Sequence, residues 1–460
     1  MKRGLARVLI LITAGSFIYA LFYLFEFSAP RVDADLPSGY LKKGYELSIT
    51  LSDLKTGLRQ AVVKLSQQGK ETTLVDKKYE SPGLLGMVSK TKILEDSFIV
   101  PIEALKYGIT DGEVNLSVIV SDNSLWGWGK GNITHVEKKL VFDSKPPVLT
   151  LLSDPHNVEK GGTGLVLYKT HEENIKSGVR VGDHFFPGYP GLFKNKNIHA
   201  CFFALDYLQG PGTKISLMAE DMAGNVTEKS FPHYIRDKHY PTDTLEISDS
   251  FLERKMPEFD LGLKEGAFQG EENPLLKKFL YINGDLRKEN EKRILNLSSL
   301  SEPAKYWEGS FSMLARSEKK AGFADHRIYQ HKGREIDRAV HLGVDLASTA
   351  NSPVFPANKG KVILTDTVGI YGNTVMIDHG FGLCSLYSHL SEIAVSTGDI
   401  VEKETRIGLT GLTGMAAGDH LHFSMMVRHV FVNPMEWWDD SWIRNNILSK
   451  IETIRQESDL

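Results

Sequence analysis

The chain has 460 residues, too many for one ordinary domain, and its 41% hydrophobic and 24% charged content excludes a disordered or fibrous protein. A formal net charge of −4 leaves no global basic field, which argues against nucleic acid as a partner. Only two cysteines occur, Cys201 and Cys384, far apart and without metal-type spacing, and they read as two unpaired buried thiols.

Lys2, Arg3 and Arg7 precede an uncharged, apolar-dominated run from Val8 to Phe25, closed by Glu26. A run of that length reaches across most of a bilayer core. The cations in front of it belong on the cytoplasmic side, so everything after Pro30 is expected outside the cytoplasm. Phe27-Ser-Ala-Pro30 is a poor cleavage site, so residues 1–30 read as an uncleaved signal anchor, a transmembrane helix, rather than a removed signal peptide.

From Gly39 to Pro146 the pattern is β. In Tyr45-Glu-Leu-Ser-Ile-Thr-Leu51 and Val114-Asn-Leu-Ser-Val-Ile-Val120 every second residue is apolar, the mark of half-buried strands. The run Ser-Lys-Pro146-Pro147 cannot continue a ladder and sets a boundary. A second copy follows. Ser121-Asp122-Asn123, Gly131-Asn132-Ile-Thr134 and Asp143 recur in order as Glu220-Asp221, Gly224-Asn225-Val-Thr227 and Asp237. The spacing predicts two β-sandwich modules, 36–146 and 147–241, acting as spacer arms with room for cell-envelope protein partners. The segment Ala219-Glu-Asp-Met-Ala-Gly-Asn225 resembles the F–G hairpin of bacterial immunoglobulin-like repeats, which makes the expected modules Ig-like.

After Pro241 the composition shifts. Ser248 before Phe251-Leu252 and Asn273-Pro274 before Leu275-Leu276 are helix starts, and Leu286, Ile294 and Leu297 keep helical spacing. Residues 242–315 are expected to form a short helical linker, 316–440 a catalytic domain and 441–460 a helical tail.

Residues 323–438 return to β, with glycine-dense turns. No His-Glu-x-x-His occurs, so a helix-borne zinc site is excluded. His420-Leu-His422 uses the two-residue strand period, which points both imidazoles to one face. His341 and Asp345 flank Leu-Gly-Val, where Gly343 suggests a bend, and Tyr387-Ser-His389 places a tyrosine and a histidine on one face of another strand. Histidine and carboxylate groups converging with one position left open make a catalytic zinc centre.

These segments carry a resemblance. His341-Leu-Gly-Val-Asp-Leu-Ala347, Pro353-Val, Gly360-Lys-Val362, Tyr371-Gly-Asn373, His379-Gly-Phe-Gly382, Tyr387-Ser-His-Leu390, Gly398-Asp399, Gly411-Leu-Thr-Gly414, Gly418-Asp-His-Leu-His-Phe423 and Asn433-Pro434 together resemble the lysostaphin-type (LytM-domain) zinc metallopeptidases. The resemblance implies an antiparallel β-sheet peptidase domain. It implies one zinc ion per chain held by His341, Asp345 and His422, with His389 and His420 as an unliganded catalytic pair whose division of roles stays open. It further implies endopeptidase action on peptidoglycan cross-links or stem peptides, and with the anchor a location on the bacterial inner membrane, crossed once, with the catalytic domain periplasmic. A looser match at Phe323-Ala-Asp-His-Arg327 gives Arg327 a substrate-binding role. His326, His331 and His379 are expected off the metal. Two positions depart from the family pattern: Asp419 stands where proline is common, and Ser424 where glutamate is, which removes a carboxylate behind the metal ligands. The alternatives to hydrolysis of the wall are a non-hydrolytic wall-binding or amidase-activating protein and a zinc protease acting on extracytoplasmic proteins.

Overall fold

A computed structural model describes residues 2–80, 92–173, 175–268 and 272–458. The chain is mainly β and separates into two compact units, Met1–Pro146 with Glu220–Val226, and Pro147–Ala219 with Thr227–Leu460.

The first unit begins with a helix over Lys2–Leu24. Its large apolar side chains stand exposed, Leu9 at 65% and Leu11 at 71%, as expected of a run with no protein core to enter. Among the described residues, no helix is long and apolar enough to cross a membrane. A three-stranded sheet built on Gly44–Ser52 and a five-stranded sheet built on Leu58–Gln67 and Gly112–Asp122 follow. Alternate residues of both, among them Leu47, Ile49, Leu51, Val63, Val118 and Val120, fill one core between them. That is a β-sandwich, half-buried in the period-2 manner the sequence shows.

The repeat read from the sequence recurs atom by atom. Asn132 donates through its backbone N–H to Asp122 Oδ1 at 2.7 Å and through its amide to Asp122 Oδ2 at 2.8 Å. Asn225 makes the same two bonds to Asp221, at 2.8 and 2.9 Å. The threonine two residues on donates to Pro30 in the first copy and to Pro147 in the second.

Within the second unit, the strands Thr163–Thr170 and Ile198–Ala204 do not alternate. Leu165, Val166, Leu167 and Tyr168 are all buried, as are Ala200 to Ala204. Both faces are covered because the following domain packs on the second. Phe202 meets Trp307 and Trp437, Lys450 Nζ donates to the Leu165 carbonyl at 3.0 Å, and the Thr163 N–H donates to Glu436 Oε2 at 2.8 Å. This module therefore shares one core with the C-terminal domain, and the reading of it as a free arm is corrected.

The C-terminal domain is built on an eight-stranded antiparallel sheet. Its central strands are Val344–Ala347, Leu421–Val427, Leu383–Leu390 and Gly372–Gly380, in that spatial order. The segment expected as a helical linker supplies helices at Asp249–Lys255, Pro274–Tyr281 and Arg287–Ser298. It opens, however, with a strand, Thr242–Glu246, paired parallel to His326–Gln330. Both cysteines are buried free thiols, and burial pushes the Cys201 thiol up to about 12.

Candidate metal centre

Antiparallel register builds the centre. Asp345 lies directly opposite His422, and on the other side of the same strand Ser388 lies opposite His422. His341 reaches the same point from the loop before Val344. Its Nε2 is 2.9 Å from Asp345 Oδ1 and 2.9 Å from His422 Nδ1, and the third side of the triangle is 3.0 Å. Gly343 lies at the expected bend, and its size serves the arrangement as well: an added Cβ would meet the His422 ring at 2.6 Å.

Hydrogen bonds on the outer side of each ring fix which nitrogen carries the proton. His341 Nδ1 faces the Gly322 carbonyl at 2.8 Å, so it is the N–H and Nε2 bears the lone pair. Ser424 Oγ donates to the Leu342 carbonyl at 2.7 Å and therefore accepts from His422 Nε2 at 3.0 Å, which leaves the lone pair on His422 Nδ1. Burial first of all depresses the His422 pKa, to about 4, so this ring is neutral. Two imidazole lone pairs and a carboxylate oxygen thus converge with no hydrogen among them. Three acceptors at such distances repel one another unless a cation lies between, and the N,N,O set is that of a three-ligand zinc site. His341, Asp345 and His422 also form a compact group able to hold a metal ion. Asp345 is pulled in two directions: burial raises its pKa, but His341, His420 and His422 around it carry the balance well below the ordinary carboxylate range.

His420 and His389 stand beside the triangle, their rings 4.8 Å apart. His420 Nε2 is 3.5 Å from Asp345 Oδ1, and its Nδ1–H is tied to the Gly418 carbonyl at 2.8 Å. Burial opposes its charged form, but the bond to Asp345 outweighs this and raises its pKa. His389 Nδ1–H donates to the Thr413 carbonyl at 2.9 Å, which leaves its Nε2 lone pair free, and burial holds its pKa well below the usual histidine value. Strand alternation, which would put His389 on the face of Tyr387, fails here. Tyr387 packs on Phe423 on the opposite face, with its hydroxyl accepting from the Ala357 N–H. His389 adopts φ +64°, and this left-handed residue swings its imidazole to the metal side.

Arg327 lies on the acidic ligand: its Nη2 is 3.1 Å from Asp345 Oδ2, the oxygen turned away from the histidines. His326 and His331 sit at the two ends of the strand that carries Arg327, and His379 is buried between the Lys359 carbonyl and Ser385. Asp419 accepts from the Thr410 hydroxyl at 2.6 Å and so holds a turn. The centre opens into a cavity of about 310 Å³ whose far wall is Leu245, Glu246, Ile247, Phe251 and Phe279. Sequence reasoning missed this wall, and it missed Ser424 as a ring partner.

Residues 339–434 match the sequence model of peptidase family M23. Over 98 residues the chain is 41% identical to the peptidoglycan DD-endopeptidase ShyA of Vibrio cholerae, a stretch covering 21% of this chain and 23% of that protein. It is 36% identical over 96 residues to the DD-carboxypeptidase/endopeptidase Mpg of Neisseria meningitidis, covering 21% and 22%. The chain thus spans about a quarter of the length of the curated relatives it matches. Among solved structures, a peptidase M23 from Pseudomonas aeruginosa aligns with a TM-score of 0.41 at 19% identity, covering 62% of this chain and 96% of that one.

Proposed function

From the M23 (LytM-type) peptidase domain at its C-terminus, we propose that this chain is a zinc endopeptidase that hydrolyses peptide bonds in peptidoglycan cross-links or stem peptides. The observation that carries the reading is the triangle of lone pairs on His341, Asp345 and His422, completed by two unliganded histidines on the same side. The similarity to relatives named as peptidoglycan endopeptidases supports the substrate class.

His341, Asp345 and His422 would hold one zinc ion. When bound, zinc lowers the pKa of a coordinated water toward about 7 and polarises a carbonyl. The chain's own contribution is proton handling and orientation. His389 Nε2 accepts a proton, because its other nitrogen is committed to the Thr413 carbonyl. His420 Nε2, beside Asp345, holds a proton for return to the leaving amine. Arg327 and Ser424 keep the carboxylate and the His422 ring in register. A membrane anchor belongs to the same proposal, supported by Lys2, Arg3 and Arg7 ahead of the apolar run and by the bare apolar surface of its helix. It puts the catalytic domain outside the cytoplasm.

The test is incubation of the detergent-solubilised full chain with purified sacculi, with and without chelator, followed by analysis of released muropeptides. Chelation is expected to stop cleavage. His422→Ala should lose zinc and activity together, whereas His389→Ala should keep zinc and lose activity. Sacculi bound with every cross-link intact would replace the hydrolase reading with a wall-binding one, and loss of zinc in His389→Ala would overturn the division of roles.

A further inference from the structure

A second group of acids lies in the first unit, far along the chain from the peptidase motifs. Glu26, which ends the apolar run, meets Asp53 and Asp122, and each of the three brings a carboxylate oxygen within 4.8 Å of the other two. All three are buried: Glu26 is 1% exposed, Asp53 6% and Asp122 0%. Buried carboxylates ordinarily face a cation or are fully hydrogen-bonded. Among the described residues, no basic side chain forms an ion pair with any of them.

The hydrogen bonds are incomplete in a telling way. Glu26 Oε2 accepts from the Thr56 N–H and hydroxyl at 2.9 and 3.0 Å, and Asp53 Oδ2 accepts from the Gly57 N–H at 2.6 Å. The other oxygen of each, Glu26 Oε1 and Asp53 Oδ1, is buried with no hydrogen-bond partner. Two unpartnered carboxyl oxygens on side chains more than nine-tenths buried, in one cluster with a third acid, are a costly arrangement for a protein alone. The loops also look built to hold it. Gly131, at φ +79°, lies where a Cβ would come within 2.7 Å of Asp122 Oδ1. The amide of Asn132 bonds both Asp122 and the Glu26 carbonyl. The second copy of the repeat keeps the Asp221–Asn225 bracket, yet among the described residues no third acid joins it in a group of this kind. The bracket alone is therefore structural, and Glu26 and Asp53 are what the first copy adds.

We propose that Glu26, Asp53 and Asp122 form a binding site for a divalent calcium ion, distinct from the zinc centre. An all-oxygen, all-carboxylate set selects a hard cation, and calcium rather than magnesium suits a buried site because magnesium gives up its water reluctantly. The ion ties the exit of the N-terminal helix to the loop that follows Gly44–Ser52 and to the end of the strand Gly112–Asp122.

The experiment uses the full chain in detergent, stripped with chelator and resupplied with one equivalent of zinc. Calcium chloride is titrated calorimetrically, and thermal unfolding is followed in parallel. One calcium per chain is expected, with affinity of about 10⁻⁴ to 10⁻³ M, as in extracellular calcium modules. Unfolding of the first unit should shift upward with calcium. Asp53→Asn and Glu26→Gln, each checked for fold by circular dichroism, should weaken binding by about tenfold or more, since affinity follows ligand charge. His422→Ala should bind calcium as the parent does. Absence of calcium uptake by the folded parent at about ten times that concentration range would overturn the site, as would uptake that both acid variants leave unchanged. A chain that binds no calcium and gains stability on Asp53→Asn would show instead that the acids are buried as protonated groups.

Discussion

Replacing Ser424 with alanine probes the metal centre without touching a ligand. The hydroxyl accepts from His422 Nε2–H at 3.0 Å and donates to the Leu342 carbonyl at 2.7 Å, and Ser424 is fully buried. Its removal leaves both the imidazole N–H and the carbonyl without a partner, a cost of about 1–3 kcal/mol for each buried group left unsatisfied. The ring relieves its share by shifting the proton to Nδ1, the atom that faces Asp345 and His341. That tautomer has no lone pair to offer a metal. Zinc affinity is therefore expected to fall about 10- to 100-fold, the usual effect of losing a partner behind a metal-bound histidine, or about 1.4–2.7 kcal/mol. Competition against a chromophoric chelator at neutral pH measures it, and cleavage of sacculi at saturating zinc should recover most of the parent rate. Affinity within about twofold of the parent would refute the tautomer argument. So would a loss of cleavage that excess zinc cannot restore.

Arg327 gives a second test. Because Nη2 lies on Asp345 Oδ2, Arg327→Ala is expected to weaken zinc about tenfold or more with little change in KM at saturating zinc, whereas a raised KM with zinc affinity intact would return the residue to the substrate-binding role read from the sequence. Glu436 sets a pH dependence: burial raises its carboxyl from the usual range to about 8, so between those values the folded chain holds a proton that the unfolded chain has released. Stability should therefore fall as pH rises through that window, by at most about 1.4 kcal/mol per pH unit. Glu436→Gln should flatten the dependence in urea unfolding at pH values across the window, and an unchanged slope would exclude the carboxyl as its source.

The ligand set was legible through the family resemblance, which implies His341, Asp345 and His422 together, and the structure shows why they meet. His420-x-His422 has the strand period, and Asp345 falls opposite His422 in register, so no distant or irregular geometry is needed to bring those groups together. His389 was legible only through the family resemblance. Alternation put it with Tyr387, and a single left-handed residue reversed that, which no periodic argument anticipates for a non-glycine. Ser424 was read as the loss of a carboxylate, although a hydroxyl with its own proton committed elsewhere can accept from the ring just as well. The shared core of the second unit had a signal that went unused. Leu165-Val-Leu-Tyr168 and Ala200-Cys-Phe-Phe-Ala204 are continuous apolar runs, the pattern of strands covered on both faces, whereas the first module alternates.

The wall of the cavity comes from a different part of the chain than the metal centre. The M23 match begins at residue 339, and it contains all five histidines and acids of the centre. Leu245, Glu246, Ile247, Phe251 and Phe279, which face them across the cavity, lie before it, as do Arg327, bonded to Asp345, and Tyr329. They are held there by ordinary structure: Thr242–Glu246 pairs with the strand carrying Arg327, and Phe279 packs edge-on to Tyr329. A ligand that reaches His341, Asp345 and His422 through this cavity meets the wall as well as the sheet, and its shape has to fit both. The curated relatives are similar to this chain over about a hundred residues. Leu245, Glu246, Ile247, Phe251 and Phe279 belong to the segment that composition alone made look like a linker.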